Sequence, residues 1–112
     1  MKYTLEQEIN QLHAEFCAGL ADPKRLLILY SLADAPHIVT ELTASLSMSQ
    51  PAVSRHLKIL RERGMVIATR QGPSVEYRLA DRRLIEALDL LRAAMRDHLS
   101  HNAELADALV EA

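Results

Sequence analysis

The segment from Ser49 to Lys58, SQPAVSRHLK, places side chains that can hydrogen-bond nucleic acid at helical intervals. In a helix, Ser54, Arg55 and Lys58 share one face, and Gln50 lies at its leading edge in the first turn. Gln can pair with adenine, Arg with guanine and Ser with either base, whereas Lys and the Ser49 end of the helix suit phosphates. This face predicts contact with double-stranded DNA. A solvated helix face is the simpler alternative.

Two pairs of residues have the spacing of metal ligands. His13 and Cys17 are four residues apart, and His98 and His101 are three apart, so that each pair would share a helix face. A thiolate with imidazoles favours zinc, nickel or copper. However, a lone cysteine beside an apolar stripe usually packs, and histidines near a C-terminus are usually solvated. We therefore predict no metal cofactor and keep these four residues as the candidates if one is bound.

Cys17 also raises the possibility of redox or nucleophilic chemistry. A reactive thiolate needs a basic neighbourhood, and a catalytic Cys/His pair needs an orienting group and an oxyanion hole. The sequence near Cys17 supplies neither. We therefore predict a protein that is not an enzyme.

The apolar spacing predicts five helices and one β-hairpin to carry these residues. The helices are expected over 4–20, from Asp22-Pro23 to about residue 34, over Val39 to Leu46, from an N-cap at Ser49 to Gly64, and from near Asp81 onward. The hairpin follows Met65 and turns at Gly72-Pro73. Two short helices joined by a tight turn and followed by a basic hairpin form a winged helix-turn-helix, whose second short helix enters a major groove.

Two further parts of this arrangement are expected to lie near DNA. Arg70 and the Gln71-Gly72 tip of the hairpin would approach the adjoining backbone or the minor groove. His56 lies between Ala52 and Leu60 in the apolar arc of its helix. This position predicts a packed histidine that reaches a backbone carbonyl or a DNA phosphate rather than a base.

Charge is segregated along the 112 residues, although the net charge is only −2. Residues 1–48 carry three basic and six acidic groups, residues 49–79 carry six and two, and residues 80–112 carry four and seven. A basic block of this kind suits a polyanion. The length favours one domain, 1–112, and we found no signal peptide, no membrane-spanning run and only one cysteine, which predicts a cytoplasmic protein.

Four stretches of the sequence resemble the ArsR/SmtB family of bacterial repressors. They are LADPKRLLIL (20–29), TEL (40–42), SQPAVSRHLKILRERGMV (49–66) and RQG with EYRL (70–79). The resemblance implies a homodimer whose first and last helices form the interface. It also implies binding to an inverted-repeat operator and release by an inducer, often a metal ion. One departure is Ser47-Met48, where glycine and an aliphatic residue are more usual, which leads us to expect a differently shaped turn.

The resemblance can also be tested at the positions where metal-sensing members carry ligands. The helix around TEL has no cysteine. In the last helix Asp81 fits the first ligand position, but Arg83 stands where histidine is expected, and the later positions hold Ala94 and Asp97. A cation and a methyl group cannot ligate a metal. The usual final-helix site is therefore expected to be absent, and the sequence does not predict the inducer.

These observations predict a mainly α protein with a β-hairpin wing that acts as a sequence-specific DNA-binding transcriptional regulator. The expected form is a homodimeric repressor released by an inducer. The alternative, from another functional class, is a winged-helix interaction module whose basic face docks an acidic protein partner.

Overall fold

A computed structural model of the chain describes residues 3–111, apart from the side chains at positions 106, 110 and 111. The described residues form five helices and one three-stranded sheet, in two compact units that divide in the sequence after Arg82. Helix α1 has three consecutive segments, α-helical Leu5–Leu12, π-helical His13–Cys17 and α-helical Ala18–Leu20. The other helices are α2 (Pro23–Asp34), α3 (Val39–Leu46), α4 (Gln50–Glu62) and α5 (Arg83–Glu111); the strands are β1 (His37–Ile38), β2 (Val66–Gln71) and β3 (Ser74–Leu79). The five predicted helices are confirmed.

The starts of α2 and α4 follow from their capping residues. The Asp22 carboxylate accepts hydrogen bonds from the backbone N–H groups of Lys24, at 2.8 Å, and Arg25, at 3.3 Å. The Ser49 hydroxyl accepts from the backbone N–H of Ala52 at 3.3 Å. Both helices carry proline in their first turn, where the missing N–H costs no intrahelical bond.

The turn between α3 and α4 is left-handed at Ser47, with φ 53° and ψ 45°. This is the conformation that glycine adopts most readily, and serine holds it here at some steric cost. The backbone N–H of Met48 closes the turn by donating to the Thr43 carbonyl at 3.3 Å. The turn therefore keeps α3 and α4 close despite lacking glycine.

The core of the first unit lies where α2, α3 and α4 meet the sheet. Its fully buried side chains come from all three helices and from the start of the hairpin: Ile28, Leu29, Leu42, Val53, Leu57, Leu60 and Met65. Burying one large aliphatic side chain stabilises the fold by about 1.5–3 kcal/mol. Three of the seven belong to α4, so this helix has one face committed to the core.

The sheet contains the predicted hairpin and one strand that the sequence did not reveal. Strands β2 and β3 pair antiparallel, with Gln71 opposite Ser74 and Gly72 at φ 61° in the turn. Strand β1 adds to the other edge of β3, with His37 opposite Tyr77. The prediction of a two-stranded hairpin was therefore incomplete, because two residues are too few for an alternating pattern to show.

The second unit is the single helix α5, whose 29 residues extend for about 44 Å at 1.5 Å per residue. It leaves several large apolar side chains exposed: Leu90, Leu91, Met95, Leu99, Leu105 and Leu109. None of the described helices is both long enough and apolar enough to cross a membrane.

Candidate nucleic-acid interface

The face of α4 opposite the core is polar and exposed. Its exposed residues include five of the predicted DNA contacts: Ser49, Gln50, Ser54, Arg55 and Lys58. The remaining one on this helix, His56, is buried on the packed side. No carboxylate occurs on the helix before Glu62, so nothing in its first three turns repels a phosphate. The five exposed side chains therefore lie on the outer face of α4, as the helical spacing predicts. Arg55 and Lys58 make that face positively charged.

The packing of the opposite, apolar face of α4 sets the rotation of the helix about its axis, and so the direction of the polar face. Val53, Leu57 and Leu60 are fully buried, and Ala52 and Ile59 are half-buried beside them. Turning the helix about its axis would expose these side chains, which costs several kcal/mol by area. The polar face is therefore held outward by packing.

His56 lies on the packed side of α4 and is 8% exposed. Its Nδ1 atom lies 3.5 Å from Nη1 of Arg25, a half-buried residue in the first turn of α2. Burial lowers the pKa of His56, and the nearby cations Arg25, Arg55 and Lys24 lower it further, against the opposing charge of Asp22. The ring is therefore neutral at pH 7, as a packed histidine is expected to be, and its contact with a DNA phosphate stays a prediction.

The Asp22 carboxylate offsets part of the positive charge that Arg25, Arg55 and Lys24 place near His56. This carboxylate lies 3.8 Å from the Arg25 guanidinium. Desolvation raises the pKa of Asp22, but the hydrogen bonds donated by the backbone of Lys24 and Arg25 outweigh it, and the pKa is lowered. The residue therefore stays ionised and caps α2 while facing the guanidinium.

The tip of the hairpin carries the second set of predicted contacts. Arg70, Gln71 and Gly72 are all exposed. The Arg70 guanidinium donates to the Gly72 carbonyl at 3.4 Å, so the cation lies at the turn itself. Arg78 on β3 is exposed too. Sequence reasoning omitted it, although its alternation with the apolar residues of β3 was visible.

The candidate metal ligands are exposed but form no complete set. His13 and Cys17 are exposed in the π-helical segment of α1. His98 and His101 are exposed on α5, where the His98 ring contacts the Asn102 side chain at 3.1 Å. Among the residues that the structure describes, no three His, Cys, Asp or Glu side chains are grouped so that they could hold a metal ion.

Comparison with known proteins places this geometry in a family. A sequence model described as "Bacterial regulatory protein, arsR family" matches residues 22–68, from the N-cap of α2 into β2. The chain is 40% identical over 92 residues to the HTH-type transcriptional repressor SmtB of Mycobacterium tuberculosis, over 81% of this chain and 68% of that protein. This chain belongs to the ArsR family of bacterial regulatory proteins.

Two further comparisons describe the extent of the likeness. The ArsR-family chain is 43% identical over 71 residues to the HTH-type transcriptional regulator NmtR of Mycobacterium tuberculosis; the match spans 63% of this chain but only 59% of NmtR. A homodimeric winged helix-turn-helix DNA-binding domain from Mycobacterium bovis superposes with a TM-score of 0.76 at 26% identity, over 89% of this chain and 93% of that one. The winged helix-turn-helix prediction is confirmed, and the family is one of transcriptional regulators rather than enzymes.

Proposed function

We propose that this ArsR-family regulator binds an inverted-repeat operator as a homodimer, with α4 in the major groove, and represses transcription until an inducer releases it. The observation that carries the proposal is that α4 is amphipathic, with one apolar face and one polar face. Its inner side is locked into the core, while its outer side bears the polar groups that read base edges and no carboxylate before Glu62.

The outer face divides into reading and anchoring groups. Gln50, Ser54 and Arg55 contact base edges, and Ser49 and Lys58 contact phosphates. At the wing, Arg70 and the Gln71-Gly72 turn contact the neighbouring backbone or the minor groove. All of these residues are exposed, which supports their access to DNA, and the division between them rests on the chemistry of their side chains.

The proposed homodimer accounts for the apolar face of α1. Leu5, Ile9 and Leu12 are 74%, 50% and 46% exposed, and none of the described residues of the Leu5–Leu12 segment is buried. An apolar row of this kind is typical of a surface that a partner covers. We propose that α1 and, separately, the apolar residues of α5 are covered by a second copy of the chain, so that the operator has matching two-fold symmetry.

The decisive experiment is selection of duplexes from a random DNA pool, followed by binding titrations at several salt concentrations. We expect enrichment of an inverted repeat, and affinity that falls linearly with salt on logarithmic axes. Absence of any preferred sequence at all salt concentrations, together with capture of acidic proteins, would favour the interaction module instead.

Release by an inducer needs its own test. A panel of metal ions and thiol oxidants, added to the protein on its selected DNA, would identify which class causes dissociation. The variant lacking both His13 and Cys17 is the matched control. If that variant still responds to the same metal, those two residues are not its ligands.

A further inference from the structure

The last turns of α1 present backbone carbonyl oxygens to two arginines from other elements. The Arg25 Nε donates to the Gly19 carbonyl at 2.6 Å, and its Nη2 donates to the Ala18 carbonyl at 3.3 Å. Arg63, the C-cap of α4, donates through Nη1 to the Ala14 carbonyl. Three carbonyls within six residues of α1 are thus held by guanidinium groups.

The local structure of α1 explains why these carbonyls accept. Ala14 lies in the π-helical segment, where the α-helical hydrogen-bond ladder is interrupted and a carbonyl is more open to an outside donor. Ala18 and Gly19 lie at the C-terminal end of the helix, where the negative end of the helix dipole attracts cations. The Ala18 carbonyl already accepts the backbone N–H of Ala21 at 3.4 Å, so the bond from Arg25 is its second. Both arginines therefore donate to carbonyls near the end of α1 that can accept a hydrogen bond from outside the helix.

The same two arginines also contact or belong to α4. Arg63 ends that helix, and Arg25 reaches His56 in its middle. A third contact joins α1 to the chain just after α4. Gly19 lies so close to Met65 that a Cβ added to Gly19 would overlap the Met65 methyl group. The end of α1 and the helix that faces DNA are consequently joined at three points.

We propose that Arg25 and Arg63 are positioning residues that fix the angle between α1 and α4, and through it the spacing between the two half-sites that the dimer accepts. The inference rests on the proposed function, in which α1 lies at the two-fold interface and α4 in the groove. In that arrangement the distance between the two copies of α4 depends on how each α4 is held to its own α1.

Arginine suits this role better than lysine. Its planar guanidinium offers several donors in a fixed geometry, so Arg25 can hold two carbonyls and face His56 at once, whereas an ammonium is a single point of charge on a flexible stem. A Lys replacement keeps the charge but loses the fixed angle. The variants Arg25→Lys and Arg63→Lys therefore separate geometry from electrostatics.

The test uses the full chain and duplexes built from the half-site that the wild-type protein selects. One series varies the half-site separation in single base-pair steps, and another duplex carries one half-site only. We expect the wild-type protein to prefer one separation by at least about fivefold, the order of loss caused by one mismatched base pair. In Arg63→Ala, Arg63→Lys and Arg25→Lys, that preference should flatten to less than about twofold, while single half-site affinity stays near the wild-type value.

Arg61→Ala is the matched control, since it removes one exposed cation from the last turn of α4 and leaves the three contacts in place. It should keep the wild-type spacing profile. If Arg25→Lys loses helical circular dichroism, Arg63→Ala decides the question. Variants that are folded and keep the wild-type profile overturn the positioning role alone. A wild-type protein that accepts every separation equally overturns the inverted-repeat proposal, and the positioning role with it.

Discussion

Nδ1 of His56 lies 3.5 Å from Nη1 of Arg25, so the helix with the candidate DNA face carries a titratable ring packed against a permanent cation. The charged groups that act on the ring are the cations Arg25, Arg55 and Lys24 and one carboxylate, Asp22. A neutral imidazole can accept a hydrogen bond from the guanidinium through Nδ1, whereas an imidazolium would repel it. The contact therefore depends on the ring staying neutral.

The first prediction concerns the pH dependence of stability. The pKa of His56 is lowered in the folded protein, whereas the unfolded chain titrates near pH 6.5. As pH falls below about 6.5, the unfolded state takes up a proton that the folded state resists, and the free energy of unfolding decreases until the pH passes the lowered value.

Urea unfolding between about pH 5 and pH 8 measures this effect. His56→Asn should flatten the decrease, and His101→Asn, an exposed substitution on α5, should preserve the wild-type curve. Parallel curves for the wild-type protein and His56→Asn would show that His56 is not the source.

The second prediction separates base reading from phosphate anchoring on α4. Arg55→Ala should cost about 1–3 kcal/mol at one operator base pair and relax selectivity there. Lys58→Ala should weaken binding on every sequence alike and reduce the salt slope by about one. Titrations of both variants against the selected operator and its single-base variants measure the difference. Equal losses from both variants on all sequences would contradict the assignment.

The candidate DNA face could be predicted because it depends on local periodicity. Apolar residues at Val53, Leu57 and Leu60 set which side of α4 packs, and the polar side follows from that choice. The helix start could be predicted too, since Ser49 is a capping residue and Pro51 fits only the first turn. Local chemistry of this kind is visible in the sequence.

The contacts that join α1 to α4 could not be predicted. Their acceptors are backbone carbonyls, which every residue has, so no residue type in the sequence indicates them. The resemblance included Arg25 within LADPKRLLIL but gave no reason to pair it with His56, 31 residues away. The π-helical segment was equally hidden, since its apolar spacing is also compatible with a regular α-helix. Both features depend on contacts between residues that are far apart in the sequence.

The third prediction tests the proposed dimer surface. Ile9→Glu places a charge in the exposed apolar row of α1, and burial of an unpaired carboxylate in an interface is costly. We expect the variant to become a monomer at micromolar concentration, with single half-site binding retained. The control is Asn10→Glu, at the next residue along the helix, which lies outside that apolar row. It adds the same charge, and the variant should remain dimeric. Sedimentation equilibrium distinguishes the two, and a dimeric Ile9→Glu variant would place the interface elsewhere.

The fourth prediction concerns the close approach of Gly19 and Met65. Alanine normally favours a helix over glycine by about 1 kcal/mol. At this position the added methyl group overlaps the end of the fully buried Met65 side chain. The atom met is the end of a flexible side chain, so a shift of Met65 relieves part of the overlap, and the remaining overpacking opposes the helix preference. Gly19→Ala should therefore fail to give the stabilisation of about 1 kcal/mol that an ordinary change from glycine to alanine in a helix gives.

Met65→Leu provides the matched background for that test, because leucine has a similar volume but no terminal methyl group at the methionine position. The swap alone should cost less than about 1.5 kcal/mol. If the overlap is the cause, Gly19→Ala should be clearly more favourable in the Met65→Leu background than in the wild-type protein, and urea unfolding of all four proteins gives the coupling energy. Strictly additive effects would mean that the two residues do not constrain each other, which would remove the third of the contacts that join α1 to α4.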